Sequence, residues 1–342
     1  MLETLLLVGR VFFKKKFMKT LNSISGGKTS SYLAKHYPAD FNIFSLVRIE
    51  DVRCTPKDKK LVQLVSDKIN LDFIATAEAD KTLKVILDLE QIIGSEIKWL
   101  TGQTFEQITS KGFLPNQRTR FCTTEMKIKP IAEFCRNEIK EIVKTRLGIR
   151  YDEENRVNYE NTDFKFHNGY SKNGRNKWIV EKYRELEYPL VTDKIDHYQI
   201  YLWSLSTNLD FPQDSNCVGC FHKPKQQLRK NWDDEPLKMQ WFAEQEANRR
   251  RWKQGTSYFN IKKIGLQTDF IFGGGQTATR GDVQIEKERK KGRSIYPLEK
   301  QNLIFIHPPP RIKKTSFFRS LIFFIILFGY IKIKITFALL EW

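Results

Sequence analysis

From Met18 onward the chain alternates short apolar runs with longer stretches of helical period. Residues 21–24 read as a strand that runs into the turn Ser25-Gly26-Gly27, and residues 29–36 read as the helix behind it. Residues 41–49 (FNIFSLVRI) are strand-like, and residues 56–69 place Leu61, Leu64, Val65 and Ile69 on one helical face. A short strand at 72–77, a helix at 81–93, a helix at 127–138 and a strand at 141–149 (EIVKTRLGI) continue the alternation. Strands separated by helices of this length predict an α/β fold, a parallel sheet with helices on both faces. Ligands of such sheets bind beyond the carboxyl ends of the strands. The residues just after each strand therefore carry the functional information: 25–30, Glu50-Asp51, and Arg150-Tyr151-Asp152-Glu153.

Downstream, residues 157–253 read as a mostly helical, cysteine-bearing region. Tyr188, Tyr198, Tyr201, Trp203, Phe211, Trp232, Trp241 and Trp252 read first as helical core, with base stacking as their other use. Residues 231–253 read as one amphipathic helix ending in Arg249-Arg250-Arg251, where cations suit the helix C-terminus. Gly273-Gly274-Gly275 reads as a flexible turn.

A length of 342 residues predicts about two domains, and 40% hydrophobic with 29% charged residues excludes a wholly disordered or collagen-like chain. The net charge of +18 favours an anionic partner, but it is unevenly spread. Residues 249–314 hold sixteen basic and five acidic residues, +11 of the total, and read as a solvated basic tail or linker compatible with nucleic-acid contact. Residues 1–17 are apolar and then basic, the reverse of a secretory signal, and read as an N-terminal extension. After Pro308-Pro309-Pro310, residues 321–331 form an uncharged run of eleven, short of the roughly 20 needed to span a membrane. With snorkelling lysines, 317–340 just reaches that length, so a C-terminal anchor is one reading of the hydrophobic segment 317–342 and a surface or partner helix another. Five scattered cysteines with a single CxxC do not form a secreted disulfide pattern, and the cytoplasm is expected.

The loop Ser25-Gly26-Gly27-Lys28-Thr29-Ser30 is built to hold phosphate. Two glycines let the backbone approach a ligand, and the next residues open a helix whose free N–H groups favour an anion. Lys28 adds a full charge, and Ser25, Thr29 and Ser30 add hydroxyls. It is not a Walker A loop, because Asn22 stands where the first Gly would be. The plain alternative is a helix N-cap after a tight turn.

This hexapeptide resembles the PP-loop of the N-type ATP pyrophosphatase, or adenine nucleotide α-hydrolase-like, superfamily, and within it the phosphoadenosine phosphosulfate (PAPS) reductase family. Residues 120–130 (RFCTTEMKIKP) resemble that family's R-x-C-T-x-x-x-K-x-x-P segment, through Arg120, Cys122, Thr123, Lys127 and Pro130. Residues 147–153 (LGIRYDE) resemble its G-[IV]-R-x-D-E strand end. The resemblance covers 18–156, a PP-loop nucleotide-binding domain with a Rossmann-like sheet, and is weaker as far as Leu228. It implies an adenine nucleotide, ATP or PAPS, across the strand ends, with phosphates on Ser25 to Ser30 and further anion contacts from Arg120, Lys127 and Arg150. It implies sulfur chemistry, by sulfonucleotide reduction or by ATP-dependent sulfur transfer to DNA or tRNA. Mg²⁺ would accompany ATP, and a protein would donate sulfur or electrons. Independently, Arg and Lys beside a phosphate loop neutralise charge that one Lys does not. The chain departs from true PAPS reductases in lacking a late E-C-G-x-H segment; its last cysteine is Cys220. A non-catalytic nucleotide- or nucleic-acid-binding accessory and an amide-forming ATP pyrophosphatase are the rival readings.

Cys217-Val218-Gly219-Cys220 is half a metal site by spacing, since zinc takes four ligands and a [4Fe–4S] cluster commonly four thiolates. One Cys followed about a hundred residues later by CxxC resembles iron–sulfur members of the superfamily, although those reductases carry a double Cys where this chain has Cys122 alone. The resemblance makes Cys122, Cys217 and Cys220 the candidate ligands of a [4Fe–4S] cluster or of zinc, with Cys54, Cys135, His222 or substrate in the fourth position. A redox pair or plain structural cysteines are the other readings. The candidate catalytic residues are Lys28, Cys122 and Cys220.

Overall fold

The computed structural model describes residues 6–8, 11–13, 17–110, 112–246 and 250–265. Its centre is a five-stranded sheet of Thr20–Ile24 (β1), Phe41–Leu46 (β2), Ile97–Thr101 (β3), Val143–Arg146 (β4) and Arg184–Glu187 (β5). Every pairing is parallel and the spatial order is β5-β4-β1-β2-β3. Chain order reverses between β1 and β4, so the crevice between their carboxyl ends is the topological switch point where such sheets take ligands.

Helices cover both faces. Lys28–His36 (α1), Lys59–Ile69 (α2) and Asp80–Ile93 (α3) lie on one; a helical run of Phe121–Thr123, Thr124–Ile128, Lys129–Phe134 and Cys135–Ile139 (together α4) lies on the other. The period-2 pleat of β2 makes the division: Phe44 and Leu46 pack with Leu61, Val65, Leu83 and Ile86, whereas Ile43 packs with Ile131, Ala132 and Phe134. Local chemistry sets the helix ends. Asp58 caps α2 by accepting from the N–H groups of Lys60 and Leu61, at 3.0 and 3.3 Å, and Asn70 closes it in the left-handed region. In α4 the turn before Pro130, which has no N–H to donate, is widened to a π turn over Thr124–Ile128.

Several strand predictions need correction. The run 41–49 breaks after Leu46, and Arg48–Ile49 turns away to pair antiparallel with Ala75–Thr76. The segment at 72–77 is thus no strand of the parallel sheet. Its place is taken by β3, and the sheet also gains β5 from beyond residue 156. Region 157–253 is helical only from Pro189–Thr192 onward; before that come an antiparallel hairpin, Asp163–Tyr170 with Asn176–Lys182, and β5. His197–Ser206 (α5) then packs on α1 through Leu33 and Ile200. The single helix expected at 231–253 is two, Lys225–Asp234 (α6) and Pro236–Glu244 (α7). Pro236 forces Glu235 out of the helical region, to φ −135°, ψ 60°. Tyr258–Lys262 (α8) completes this part. Val47, Phe105, Trp232, Trp241, Phe242, Trp252 and Tyr258 form an aromatic core of their own here, so these tryptophans are core, as expected.

Of the N-terminal extension, Leu6–Val8 and Val11–Phe13 pair antiparallel. The glycine turn at 273–275, most of the basic tail and the segment 317–342 lie outside the described residues. Among the described residues no helix is long and apolar enough to cross a membrane.

Candidate functional site

β1 ends at Ile24 and α1 begins at Lys28, with Gly27 as N-cap and no side chain capping the helix. The first N–H groups of α1 therefore face outward, available to an anion. Gly26 has φ +74°, and a Cβ there would lie 2.7 Å from the Thr82 side chain, so glycine is required twice over. Ser30 shapes the turn from inside. The Ser25 N–H donates to its Oγ at 3.1 Å, and its hydroxyl donates to the Gly27 carbonyl at 3.1 Å. Across the crevice, Gly148 after β4 comes so close that a Cβ would sit 3.3 Å from Thr29 Cγ2 and 3.5 Å from the Ser30 nitrogen.

The loop opens onto a cleft of about 1050 Å³, ample for a nucleotide. Ser25, Gly27, Lys28, Thr29 and Ser30 line it, as do Lys127 and Arg150. Lys28 Nζ lies 4.6 Å from the centre of the Tyr201 ring on α5. Arg150 donates from Nη1 to Thr29 Oγ1 at 3.3 Å and is held by Asp152 (3.0 and 3.2 Å) and Glu153 (3.1 Å). It braces β4 against the loop, with two carboxylates offsetting its charge. Burial alone would raise the Asp152 carboxyl, but its bonds to Arg150 hold it below the usual range. Glu50 and Asp51 lie elsewhere: Glu50 accepts from Thr104 Oγ1 and Asp51 is bound to Arg53.

A second, smaller cavity of about 150 Å³ lies behind the first. Cys122 from α4 and Cys217 and Cys220 from the CxxC loop all line it, with His222 and Arg120. Arg120 thus belongs to this cavity and does not line the cleft, unlike Lys127 and Arg150. The loop is fixed from behind: Val218 N–H donates to the Ala77 carbonyl at 2.7 Å, Asn231 Nδ2 to Val218 O at 2.6 Å, and Tyr258 OH to Gly219 O at 2.8 Å. A Cβ on Gly219 would lie 2.3 Å from the Phe242 ring, so only glycine lets the loop rest there. Cys54 and Cys135 lie in other parts of the core, and burial pushes each thiol up to about 12. Burial likewise raises the Cys122 and Cys217 thiols. His222 is lowered, by burial first and then by Arg120 and Lys253, which keeps its imidazole neutral.

Three thiols and a neutral imidazole around one cavity are the donor chemistry of a thiophilic metal or cluster. As the side chains stand, no three His, Cys, Asp or Glu among the described residues converge on one ion position. The fit therefore lies in the donors and their shared cavity.

Lys127, Asn216 and His222 line both spaces and so form the wall between them. Lys127 Nζ lies 3.4 Å from Oε1 of Glu78, a fully buried residue whose Oε2 has no partner among the described residues. Burial raises the Glu78 carboxyl, while Lys127 and Lys238 pull it back. Lys238 Nζ donates to the Glu78 carbonyl at 2.7 Å and to Asp80 at 2.8 Å. Sequence reasoning missed Glu78, although it follows the strand-like run 72–77 and the strand-end rule reaches it. It also missed Asp214, Ser215 and Lys223 on the cleft wall, where Ser215 Oγ meets Ser25 Oγ at 3.2 Å and Lys223 pairs with Asp214 at 3.0 Å. Their one signal is adjacency to the CxxC.

No family model matches this chain, and no solved structure matches it. Over 164 residues the chain is 27% identical to Uncharacterized protein MJ0066 of Methanocaldococcus jannaschii, a stretch of 47% of this chain and 32% of that protein. The chain thus spans about a third of that relative, whose name carries no activity.

Proposed function

We propose that this protein is a PAPS reductase-like PP-loop enzyme that binds an adenine nucleotide in the large cleft and acts in sulfur chemistry beside it. The observation that supports this most is the shared wall: a phosphate cradle at the switch point and a three-cysteine cavity meet at Lys127. In this reading the phosphates rest on the α1 N-terminus and the hydroxyls of Ser25, Thr29 and Ser30, and Lys28 turns from Tyr201 toward them. Mg²⁺, where ATP is the nucleotide, would supply charge to offset the pyrophosphate.

Two reactions fit such a site. In reduction, two cysteine thiols give two electrons to the PAPS sulfur, sulfite and adenosine 3′,5′-bisphosphate leave, and a disulfide forms. In transfer, an acceptor oxygen on DNA or tRNA attacks the α-phosphorus of ATP and pyrophosphate leaves; sulfide-level sulfur from a donor protein then displaces AMP, with no net redox change. Cys122, Cys217 and Cys220, with His222 on the same cavity, would hold a [4Fe–4S] cluster or zinc, which supplies a binding position for that sulfur. The described cysteines are all unpaired thiols, which suits the reducing cytoplasm.

The test is mass spectrometry of products after anaerobically purified protein meets ATP or PAPS, with iron and sulfide assayed on the same sample. AMP with pyrophosphate assigns the transfer branch, and sulfite with the bisphosphate assigns reduction. Turnover unchanged in Cys122→Ala would favour the amide-forming pyrophosphatase. No turnover of either nucleotide, with binding retained, would leave the accessory reading standing.

A further inference from the structure

Between β4 and β5 the chain inserts the hairpin of Asp163–Tyr170 and Asn176–Lys182, which has two unlike faces. One is anchored. Phe166 is 4% exposed, the Arg136 guanidinium lies 4.5 Å over its ring, and Arg136 pairs with Glu181 at 2.9 Å. The other face turns outward, with Lys165 opposite Val180 and His167 opposite Trp178. Trp178, Val180 and Tyr170 are 51%, 64% and 66% exposed. The rings form a group in solvent, His167 lying 4.9 Å from Tyr170 and 5.5 Å from Trp178, with Lys165 Nζ 5.4 Å from the Trp178 ring.

A two-stranded ribbon is marginal by itself, and clustered exposed rings on it mark a contact surface. The charges say what kind. Between Asp163 and Glu181 the hairpin carries Lys165, Lys172, Arg175 and Lys177 and no carboxylate. Among the described residues none of these four has an ion pair, whereas Glu181 at the base is paired with Arg136. Cations flanking exposed rings, without acidic neighbours, suit a polyanion that also offers flat π-faces. Duplex bases are stacked away from such rings; bases of a single strand are not.

We infer that the outward face of this hairpin docks a single-stranded nucleic acid, with bases stacking on Trp178, His167 and Tyr170 and phosphates lying along Lys165, Lys172, Arg175 and Lys177. The proposal rests on the hairpin alone and holds whether or not the cleft takes a nucleotide. The hairpin joins the sheet at the amino end of β5, whereas the phosphate cradle lies at the carboxyl end of β1, so docking here sets affinity for a strand and leaves nucleotide binding in the cleft unchanged.

The experiment uses the full chain and fluorescein-labelled twelve-nucleotide single strands of RNA and DNA, with fluorescence anisotropy at several salt concentrations and an equal-length duplex as competitor. Trp178→Ala should weaken binding about tenfold. The combined Lys172→Glu, Arg175→Glu and Lys177→Glu variant should weaken it further and, by removing three phosphate contacts, reduce the slope of log affinity against log salt by about 2. Ultraviolet crosslinking should mark the peptide holding Tyr170 or Trp178. Because the basic stretch 249–314 can hold phosphate by itself, the readout is the ratio of variant to native affinity. Unchanged affinity in both variants, with crosslinks confined to that stretch, overturns the proposal; so does a duplex that competes as well as the single strand. Both variants sit on exposed positions, and matching circular dichroism spectra confirm that they fold.

Discussion

The two cavities that meet at Lys127 are built on opposite plans. The large cleft is walled by backbone N–H groups, serine and threonine hydroxyls and cations, delivered by loops at the carboxyl ends of β1 and β4 and completed by Lys127 of α4 and by Ser215 and Lys223 beside the CxxC. The cysteine cavity is walled by Val47, Phe105, Phe242 and Trp252, the front of an aromatic core. In the proposed reading, ligand affinity in the first comes largely from Lys28 and the N-terminus of α1, which are no part of the apolar core. In the second, the loop that carries two of the three thiols is also what closes the core. Mutations should therefore separate cleanly, with stability changing at the cysteine loop and affinity at the phosphate loop.

The largest effect expected is from Gly219→Ala. Its methyl would enter the Phe242 ring, which is held in turn by Phe105 at 5.6 Å and Trp252 at 5.2 Å and has nowhere to go. Overpacking of this severity costs about 3 kcal/mol or more, visible as a lower urea midpoint. Gly27→Ala meets the Ser215 hydroxyl at 2.7 Å, which can rotate away, and Ser215 Cβ at 3.1 Å, which must shift by a few tenths of an ångström, and should lose about 1 kcal/mol. Equal losses at the two glycines would break the division.

Alkaline pH should draw on buried thiols outside the cysteine cavity. Cys54 and Cys135 ionise near 9.0 when unfolded and at about 12 when buried. The folded protein thus binds the more protons between those values, and stability falls as pH rises from about 9 to 12. The loss should be on the order of a few kcal/mol by pH 11. Cys135→Val removes one titrating group without leaving a polar atom, so its urea midpoint should fall less steeply over this range. A parallel fall in wild type and variant would assign the loss to other groups.

How far these features were legible in the sequence depended on how local they were. Ser25 to Ser30 and Arg150 each follow a strand directly, and the switch point brings them together, with Arg150 touching Thr29 at 3.3 Å. The pattern missed β3 (IKWLT) and β5 (RELE), since Lys98, Glu185 and Glu187 break any apolar run. Such edge strands are held by partners remote in sequence, β5 by β4 across some forty residues. The CxxC spacing was visible; the reason for glycine inside it was not, because Phe242 lies over twenty residues on. Arg120, Cys122 and Lys127 share a motif, yet Arg120 and Cys122 line only the smaller space and Lys127 borders both, a distinction made by the helical turn of α4.

On the cleft side, Lys28→Ala should weaken ATP binding at least tenfold by calorimetry, from the loss of one charge-assisted phosphate contact, and leave the urea midpoint within about 0.5 kcal/mol of native. A folded variant that binds ATP with native affinity would remove Lys28 from the site.

The smallest effect concerns where Lys28 rests. Its ammonium lies 4.6 Å from the Tyr201 ring, a partly exposed contact worth about 0.5–1 kcal/mol. If Lys28 turns away from the ring to meet a phosphate, that contact is lost on binding and opposes it. Tyr201→Leu keeps an apolar side chain on α5 but offers no ring to the cation, so ATP should bind about two- to fivefold more tightly than to the native protein. A twofold or greater weakening would mean instead that the ring holds Lys28 in its bound position. The sign of this small change, read by titration calorimetry beside Lys28→Ala, decides whether the cleft is set for phosphate or rearranges to receive it.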